Sequence, residues 1–265
     1  MKVLITGSSG YIGTNFINFL EKKGIKYQEY DKIRGDFVED MDSSSLSDCT
    51  HIVHLAALPE IKNCEKYIKR AIIDNVVATY KVLDLGYRYN KPVVFASSGA
   101  AQDPKSSIYS ITKNIGEEKA FQLNKVGGRN TVLRFANVYG GIDYLEKKQS
   151  IISCFVKKYK DSSPFIINGD GKQTRDFIFV RDVCNGIWSA LNLKEKVNIP
   201  IPIGSGVNTN MIDLAKMFDG YPFIFNKNND GGSRSSPVNT MMAKKYLGFE
   251  TKIKLEYGIK ELISY

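Results

Sequence analysis

The sequence predicts an α/β protein with a doubly wound, Rossmann-like parallel sheet and a small mixed C-terminal lobe. Three observations predict it. Strand and helix patterns alternate in βαβα order through the first half of the chain, a glycine-rich turn joins the first strand to the first helix, and the alternation stops after Tyr139. With 265 residues, 43% of them hydrophobic and 25% charged, the chain can form one large domain or two closely joined ones, and global disorder is excluded.

Lys2 to Thr6 is a short apolar run ended by Gly7, as expected of a first strand. Ile12, Phe16, Phe19 and Leu20 then recur at helical spacing up to Lys23, and Gly24 closes that helix. Further strands are predicted over Tyr27 to Tyr30, His51 to Leu55, Val93 to Ala96 and Thr131 to Phe135, with helices at about Ile68 to Tyr89 and Ile108 to Asn124. Gly140 and Gly141 break the pattern. A helix near Ser150 to Lys160 follows, then the turn Asn168 to Gly171, a helix over Val180 to Leu193, a strand over Asn198 to Ile203 and the turn-rich stretch Asn226 to Pro237. Residues 1–139 with about 177–205 are therefore expected to form a dinucleotide-binding unit. About 140–176 and 206–265 are expected to form a substrate-binding lobe.

The formal charge of +9 is spread along the chain and not gathered into a block, which favours solvated lysines over a nucleic-acid or membrane partner. Cys49, Cys64, Cys154 and Cys184 stand far apart, so a reduced, cytoplasmic chain without disulfides or a cysteine metal site is expected. The N-terminal apolar run is too short for a signal peptide or membrane span. His51 and His54 are three apart on a strand and project to opposite faces, which disfavours a shared metal. Asp182 reads as a charge at a helix N-terminus, and Trp188 as core packing with Ile187 and Leu191.

Gly7, Gly10 and Gly13, with Tyr11 and Ile12 between them, form a GxxGxxG turn from strand to helix. Glycine serves where the backbone must turn tightly and approach a pyrophosphate, and the helix N-terminus presents unpaired N–H groups to it. Asp31 ends the second strand, where a carboxylate can accept from ribose hydroxyls and repel a 2′-phosphate, favouring NAD over NADP. A turn-forming aspartate is the alternative, and Lys32 and Arg34 stand near enough to accommodate a phosphate. Tyr109 and Lys113 lie four apart and project from one helical face. An ammonium beside a phenol favours the phenolate, which makes the tyrosine a general base. Ser97 and Ser98, at the end of the preceding strand, can bond the same substrate oxygen.

With these motifs stand His54-Leu55-Ala56-Ala57, Asn75, the run Arg134 to Gly140 reading RFANVYG, and the run Gly169 to Phe177 reading GDGKQTRDF. Together they make the chain resemble, over nearly its whole length, the extended short-chain dehydrogenase/reductases of the nucleotide-sugar epimerase and dehydratase group. The resemblance implies that Ser98, Tyr109 and Lys113 are the catalytic trio. It also implies that Leu55, Ala56, Ala57 and Leu58 pass beneath the NAD phosphates and ribose, that Asp36 and Phe37 flank adenine, and that Asn75 lies near the cofactor. Asn137, Arg175 and Arg234 resemble the positions that hold the diphosphate of a sugar nucleotide, a role that suits the bidentate guanidinium. From the residues alone, Arg175 is equally an ion-pair partner of Asp170 or Asp176.

Three departures from the group stand out: the segment Asp31 to His51 is short, Gln102 replaces a common aromatic residue, and no acidic residue follows Ser98 directly. The last disfavours a 4,6-dehydratase. The resulting expectation is an NAD-dependent epimerase of a nucleotide-diphosphate sugar acting at sugar C4 through a 4-keto intermediate. The alternative is an NAD(P)H-dependent reductase of a 4-keto-6-deoxy sugar nucleotide, and a non-catalytic dinucleotide-binding protein is the rival from another class. A homodimer through the helices near Asn75 to Tyr89 and Ile108 to Asn124 is implied by the same resemblance.

Overall fold

The computed structural model describes residues 1–46, 48–147, 150–229 and 235–264. Strand β1 (Lys2–Thr6) passes through the glycine turn into helix α1 (Tyr11–Lys22) and then β2 (Lys26–Tyr30). After β3 (His51–His54) come α2 (Ile61–Lys66), α3 (Ile68–Ile72) and α4 (Ala78–Arg88), then β4 (Val93–Ser98), α5 (Ile108–Lys125) and β5 (Asn130–Phe135). The second half runs β6 (Asn137–Tyr139), α6 (Tyr144–Lys147), α7 (Ile151–Lys160), β7 (Phe165–Asn168), β8 (Thr174–Phe179) and α8 (Val180–Leu191). It ends with β9 (Ile201–Ile203), β10 (Asn208–Asn210), α9 (Met211–Lys216), β11 (Phe223–Asn226), α10 (Met241–Leu247) and α11 (Leu255–Ile263).

Six parallel strands form the central sheet in the order β2-β1-β3-β4-β5-β9. Both faces are covered, which explains why the strands read as continuous apolar runs. Val3 and Ile5 face Phe16, Leu20, Ile187 and Leu191 of α1 and α8, whereas Leu4, with Ile52 and Phe95, faces Val82, Leu83, Ala120 and Leu123 of α4 and α5. The chain leaves β1 toward β2 on one side and returns as β3 on the other. That reversal opens a crevice at the carboxyl ends of β1 and β3, where doubly wound sheets bind ligands.

The segment between β2 and β3 folds as three short 3₁₀ turns, Lys32–Arg34, Val38–Asp40 and Ser44–Leu46. The helix expected over Ile68 to Tyr89 is continuous apart from a π-helical turn at Ile73–Val77.

Two smaller sheets stand beside the central one. β6 and the last residues of β8, assigned by sequence to the Rossmann unit, pair with one another in a separate sheet of order β10-β8-β6. The lobe is joined to the sheet by one continuous core: Phe155, Phe165 and Phe218 of the lobe belong to the same apolar cluster as Val3 and Leu133. Phe155 and Phe165 stack at 4.3 Å. The lobe thus shares one core with one face of the sheet, while the other face keeps its own core against α4 and α5.

Candidate active site

A single cleft of about 1830 Å³ runs over the carboxyl edge of the sheet into the lobe. Pockets for one drug-sized ligand measure roughly 300–1,000 Å³, so this cleft has room for a dinucleotide and a second nucleotide together.

One half is built around β1 and α1. Gly7 has φ 71°, and a Cβ there would stand 2.6 Å from the Ala56 amide nitrogen, so only glycine lets the turn pass the β3 loop. A Cβ on Gly13 would collide with the Gly7 carbonyl. Helix α1 starts at Gly10 with no side-chain cap and no acidic residue in its first turn. Its leading N–H groups are therefore available to an anion, which fits a cofactor pyrophosphate. Gly7, Gly10, Tyr11, Ile12 and Gly13 all line the cleft. The Tyr11 hydroxyl donates to the Gly140 carbonyl at 2.6 Å, tying this turn to the lobe.

Asp31 also lines the cleft and is buried. One carboxylate oxygen accepts from Ser9 N and the other from Ile33 N, each at 3.0 Å. Asp31 thus caps the turn Lys32–Arg34 and at the same time lines the cleft. Asp36 and Phe37 border the same end of the cleft. Leu55, Ala56 and Ala57 floor it. Beneath them, buried His54 is held between Thr6 Oγ1 at 2.7 Å and Thr79 Oγ1 at 3.0 Å. Burial drives its pKa down to about 3, so the imidazole is neutral and structural.

Leu58 and Asn75, expected at the cofactor, do not line the cleft. The π turn points Asn75 inward, where its Oδ1 accepts from Leu58 N at 2.7 Å and its Nδ2 donates to Leu58 O and Thr112 Oγ1. Asn75 spends its amide on shaping the loop that carries Leu55, Ala56 and Ala57.

Ser98 at the end of β4, with Tyr109 and Lys113 on α5, converge on the middle of the cleft. Ser107 caps α5 by accepting from Ser110 N, so the helix begins just before Tyr109 and presents its phenol to the cleft. Ser98 Oγ accepts from Ala100 N at 3.2 Å, and the serine neighbours the Tyr109 hydroxyl and acts to lower its pKa. The expected depression of the Tyr109 pKa is not found. Burial pushes the phenol up to about 12, against the lowering effect of Ser98, while the Lys113 ammonium donates to the Ala96 carbonyl at 2.9 Å. Burial also lowers Lys113 to about 8.

At the far end, Asn137 Nδ2 donates to the Asp176 carbonyl at 3.0 Å, and Arg175 lines the cleft and donates to Thr174 O at 2.7 Å. Sequence reasoning saw in Asp176 only a partner for Arg175. Its carboxylate accepts from Ser205 N, Ser205 Oγ and Gly206 N, each at 2.8 Å, and from Val238 N at 3.2 Å, gathering three chain segments at the rim. Arg234 lies outside the described residues.

Residues 3–204 match the model of the NAD dependent epimerase/dehydratase family. The chain belongs to that family. Its members' NAD-dependent chemistry accords with the uncapped α1 turn and Asp31. A Methanocaldococcus jannaschii relative that carries a UDP-glucose 4-epimerase name is 28% identical, over 99% of this chain and 97% of its own. The Escherichia coli dTDP-4-dehydro-6-deoxyglucose reductase is 25% identical over 98% of this chain and 96% of its own. A solved UDP-glucose 4-epimerase from Thermotoga maritima, with UDP-glucose, superposes with a TM-score of 0.86 at 25% identity, covering 100% of this chain and 98% of that one.

Sequence reasoning also gave no role to Glu117, although it lies four residues after Lys113 on the same helical face. That spacing was the signal available in this family member. No helix among the described residues is long and apolar enough to cross a membrane.

Proposed function

We propose that the chain is an NAD-dependent epimerase of a nucleotide-diphosphate sugar, acting at the sugar C4. The convergence of Ser98, Tyr109 and Lys113 in one cleft with the uncapped α1 turn carries this reading. Gly10 to Gly13 and Asp31 hold the cofactor pyrophosphate and adenosine ribose, with Asp36 and Phe37 beside adenine. Bound NAD supplies reversible two-electron chemistry at C4. Tyr109 takes the C4 hydroxyl proton while Ser98 shares the hydrogen bond to that oxygen. Lys113 orients the ribose and, once its ammonium swings from Ala96 toward the phenol, favours the phenolate. Asn137 and Arg175 hold the diphosphate, which lets the 4-keto sugar turn beneath a fixed nucleotide. Tyr109 then returns the proton to the other epimer.

The reductase reading keeps the same trio and is favoured by the likeness to the dTDP-4-dehydro-6-deoxyglucose reductase. A direct test separates them. Purified protein offered UDP-glucose is expected to form UDP-galactose without added reductant and without NADH accumulating in solution. Consumption of NAD(P)H by a 4-keto-6-deoxy sugar nucleotide, with no redox-neutral interconversion of any pair tested, overturns the epimerase reading.

The enzyme works as a homodimer in the cytoplasm. Tyr67 ahead of α3, Ile68 and Ile72 on α3, Tyr80 on α4 and Ile111 on α5 are exposed, an apolar surface suited to a second copy. Four free cysteines support a reducing compartment. Sedimentation of Ile72→Glu as a monomer, against a wild-type dimer, is the expected result.

A further inference from the structure

Glu117 lies one turn beyond Lys113 and two beyond Tyr109, so the three share one face of α5. Its carboxylate is almost wholly buried, at 1% exposure. It accepts from Ser97 Oγ at 2.5 Å and twice from Arg134, from Nε at 2.9 Å and Nη2 at 2.6 Å. Ser97 and Arg134 are paired in register on β4 and β5. Ser97 directly precedes Ser98, the residue beside the Tyr109 hydroxyl.

A buried ion pair is a poor way to add stability, because desolvation consumes much of the attraction and an apolar trio of equal volume does as well or better. It does provide fixed geometry, with three directional bonds joining one helix to two strands. It also places a charge one turn from Lys113. We propose that Glu117 is a positioning residue for the epimerase reaction: through Ser97 and Arg134 it sets α5 against the ends of β4 and β5 so that Tyr109 meets Ser98, and its charge steadies Lys113. This rests on the reading of Ser98, Tyr109 and Lys113 as the reacting trio.

The groups around Lys113 support the electrostatic part. The Ala96 carbonyl and Phe95 ring face it from β4, neutral His54 from β3 and Cys64 from α2, with Tyr109 and Glu117 on its own helix. Burial lowers the Lys113 pKa, and Cys64 and Glu117 oppose that fall. The Cys64 thiol is itself pushed up by burial and stays uncharged near neutrality, which leaves Glu117 to supply the counter-charge.

The test uses the full-length, NAD-loaded protein with UDP-glucose as probe, alongside ¹³C-lysine NMR titration of Lys113, which needs no turnover. In Glu117→Gln, kcat is expected to fall about 10- to 100-fold with KM within about twofold, the pattern of lost alignment and not of lost binding. The alkaline limb of the kcat profile and the Lys113 midpoint should both move down by about one pH unit, because the carboxylate that raises Lys113 is gone. Ser97→Ala keeps the buried ion pair and therefore the fold. It should lose kcat severalfold with the alkaline limb unmoved. Wild-type kcat in both variants, an unmoved Lys113 midpoint in Glu117→Gln, or losses that merely track thermal unfolding would overturn the proposal. Tyr109→Phe in the same assay separates the two levels. If it is inactive while Glu117→Gln and Ser97→Ala are normal, the positioning role alone fails, whereas wild-type turnover in Tyr109→Phe removes the trio and the positioning role together.

Discussion

The two ends of the cleft are built differently. The cofactor end comes from contiguous motifs: Gly7 to Gly13, Asp31 to Phe37 and Leu55 to Ala57 each line it as a run of neighbours, held by main-chain bonds such as Ser9 N to Asp31. The other end is assembled from distant segments: the Asp176 carboxylate takes Gly206 N and Val238 N, its carbonyl accepts from Asn137, and β6 pairs with the β8 strand that carries Arg175. A contiguous end resists change through local geometry, whereas a gathered end depends on a few bridging bonds. The first should therefore fail by loss of cofactor or fold, and the second by loss of substrate affinity alone.

The largest effect expected is on the stability of the cofactor end. Unfolded His54 takes a proton near pH 6.5, while the folded protein refuses it until about pH 3. Stability should be full above pH 6.5 and fall as pH drops through that window, by on the order of 4 kcal/mol. Urea unfolding midpoints across pH 4 to 7 check this. His54→Gln, which cannot take the proton, should flatten the slope, and an unchanged slope would assign the acid sensitivity elsewhere.

Next is the chemistry where the two ends meet. Tyr109→Phe should keep NAD binding and lose turnover by at least about a hundredfold, the scale of a removed acid/base group. Stopped-flow turnover with retained cofactor fluorescence measures both.

At the sugar end, Arg175→Ala should weaken nucleoside diphosphate binding by about 1.5–3 kcal/mol while NAD affinity stays put. Calorimetric titration with UDP decides it; unchanged affinity makes Arg175 a structural partner in the lobe.

The smallest effect sharpens the cofactor end. On the proposed reading Asp31→Ala removes the charge that would repel a 2′-phosphate, so the preference for NAD over NADP should narrow by roughly tenfold. Loss of the bonds to Ser9 N and Ile33 N should lower stability by about 1 kcal/mol or more. Parallel NAD and NADP titrations read the first effect, and thermal unfolding the second.

Tyr109, Lys113, Ser98 and the glycine turn were legible because their spacing along the chain is also their arrangement in space: an i, i+4 pair shares a helical face, and a turn joining strand to helix is local. The doubly wound, parallel fold class and the NAD-dependent family followed from the same local patterns. Other features were decided only by the tertiary structure. Asn75 was expected beside the cofactor, yet the π turn at Ile73–Val77 aims its amide at Leu58. The Tyr109 phenol was expected to titrate low, yet burial raises it while Lys113 is held by Ala96. β6 and the end of β8 pair in a sheet of their own. Asp176 and Glu117 gained roles through partners 29 and 17 residues distant. Local spacing determines backbone conformation and which side chains share a face. Burial, and the partner that finally satisfies a polar group, depend on which distant segments the shared core brings together, and no run of neighbours along the chain encodes that.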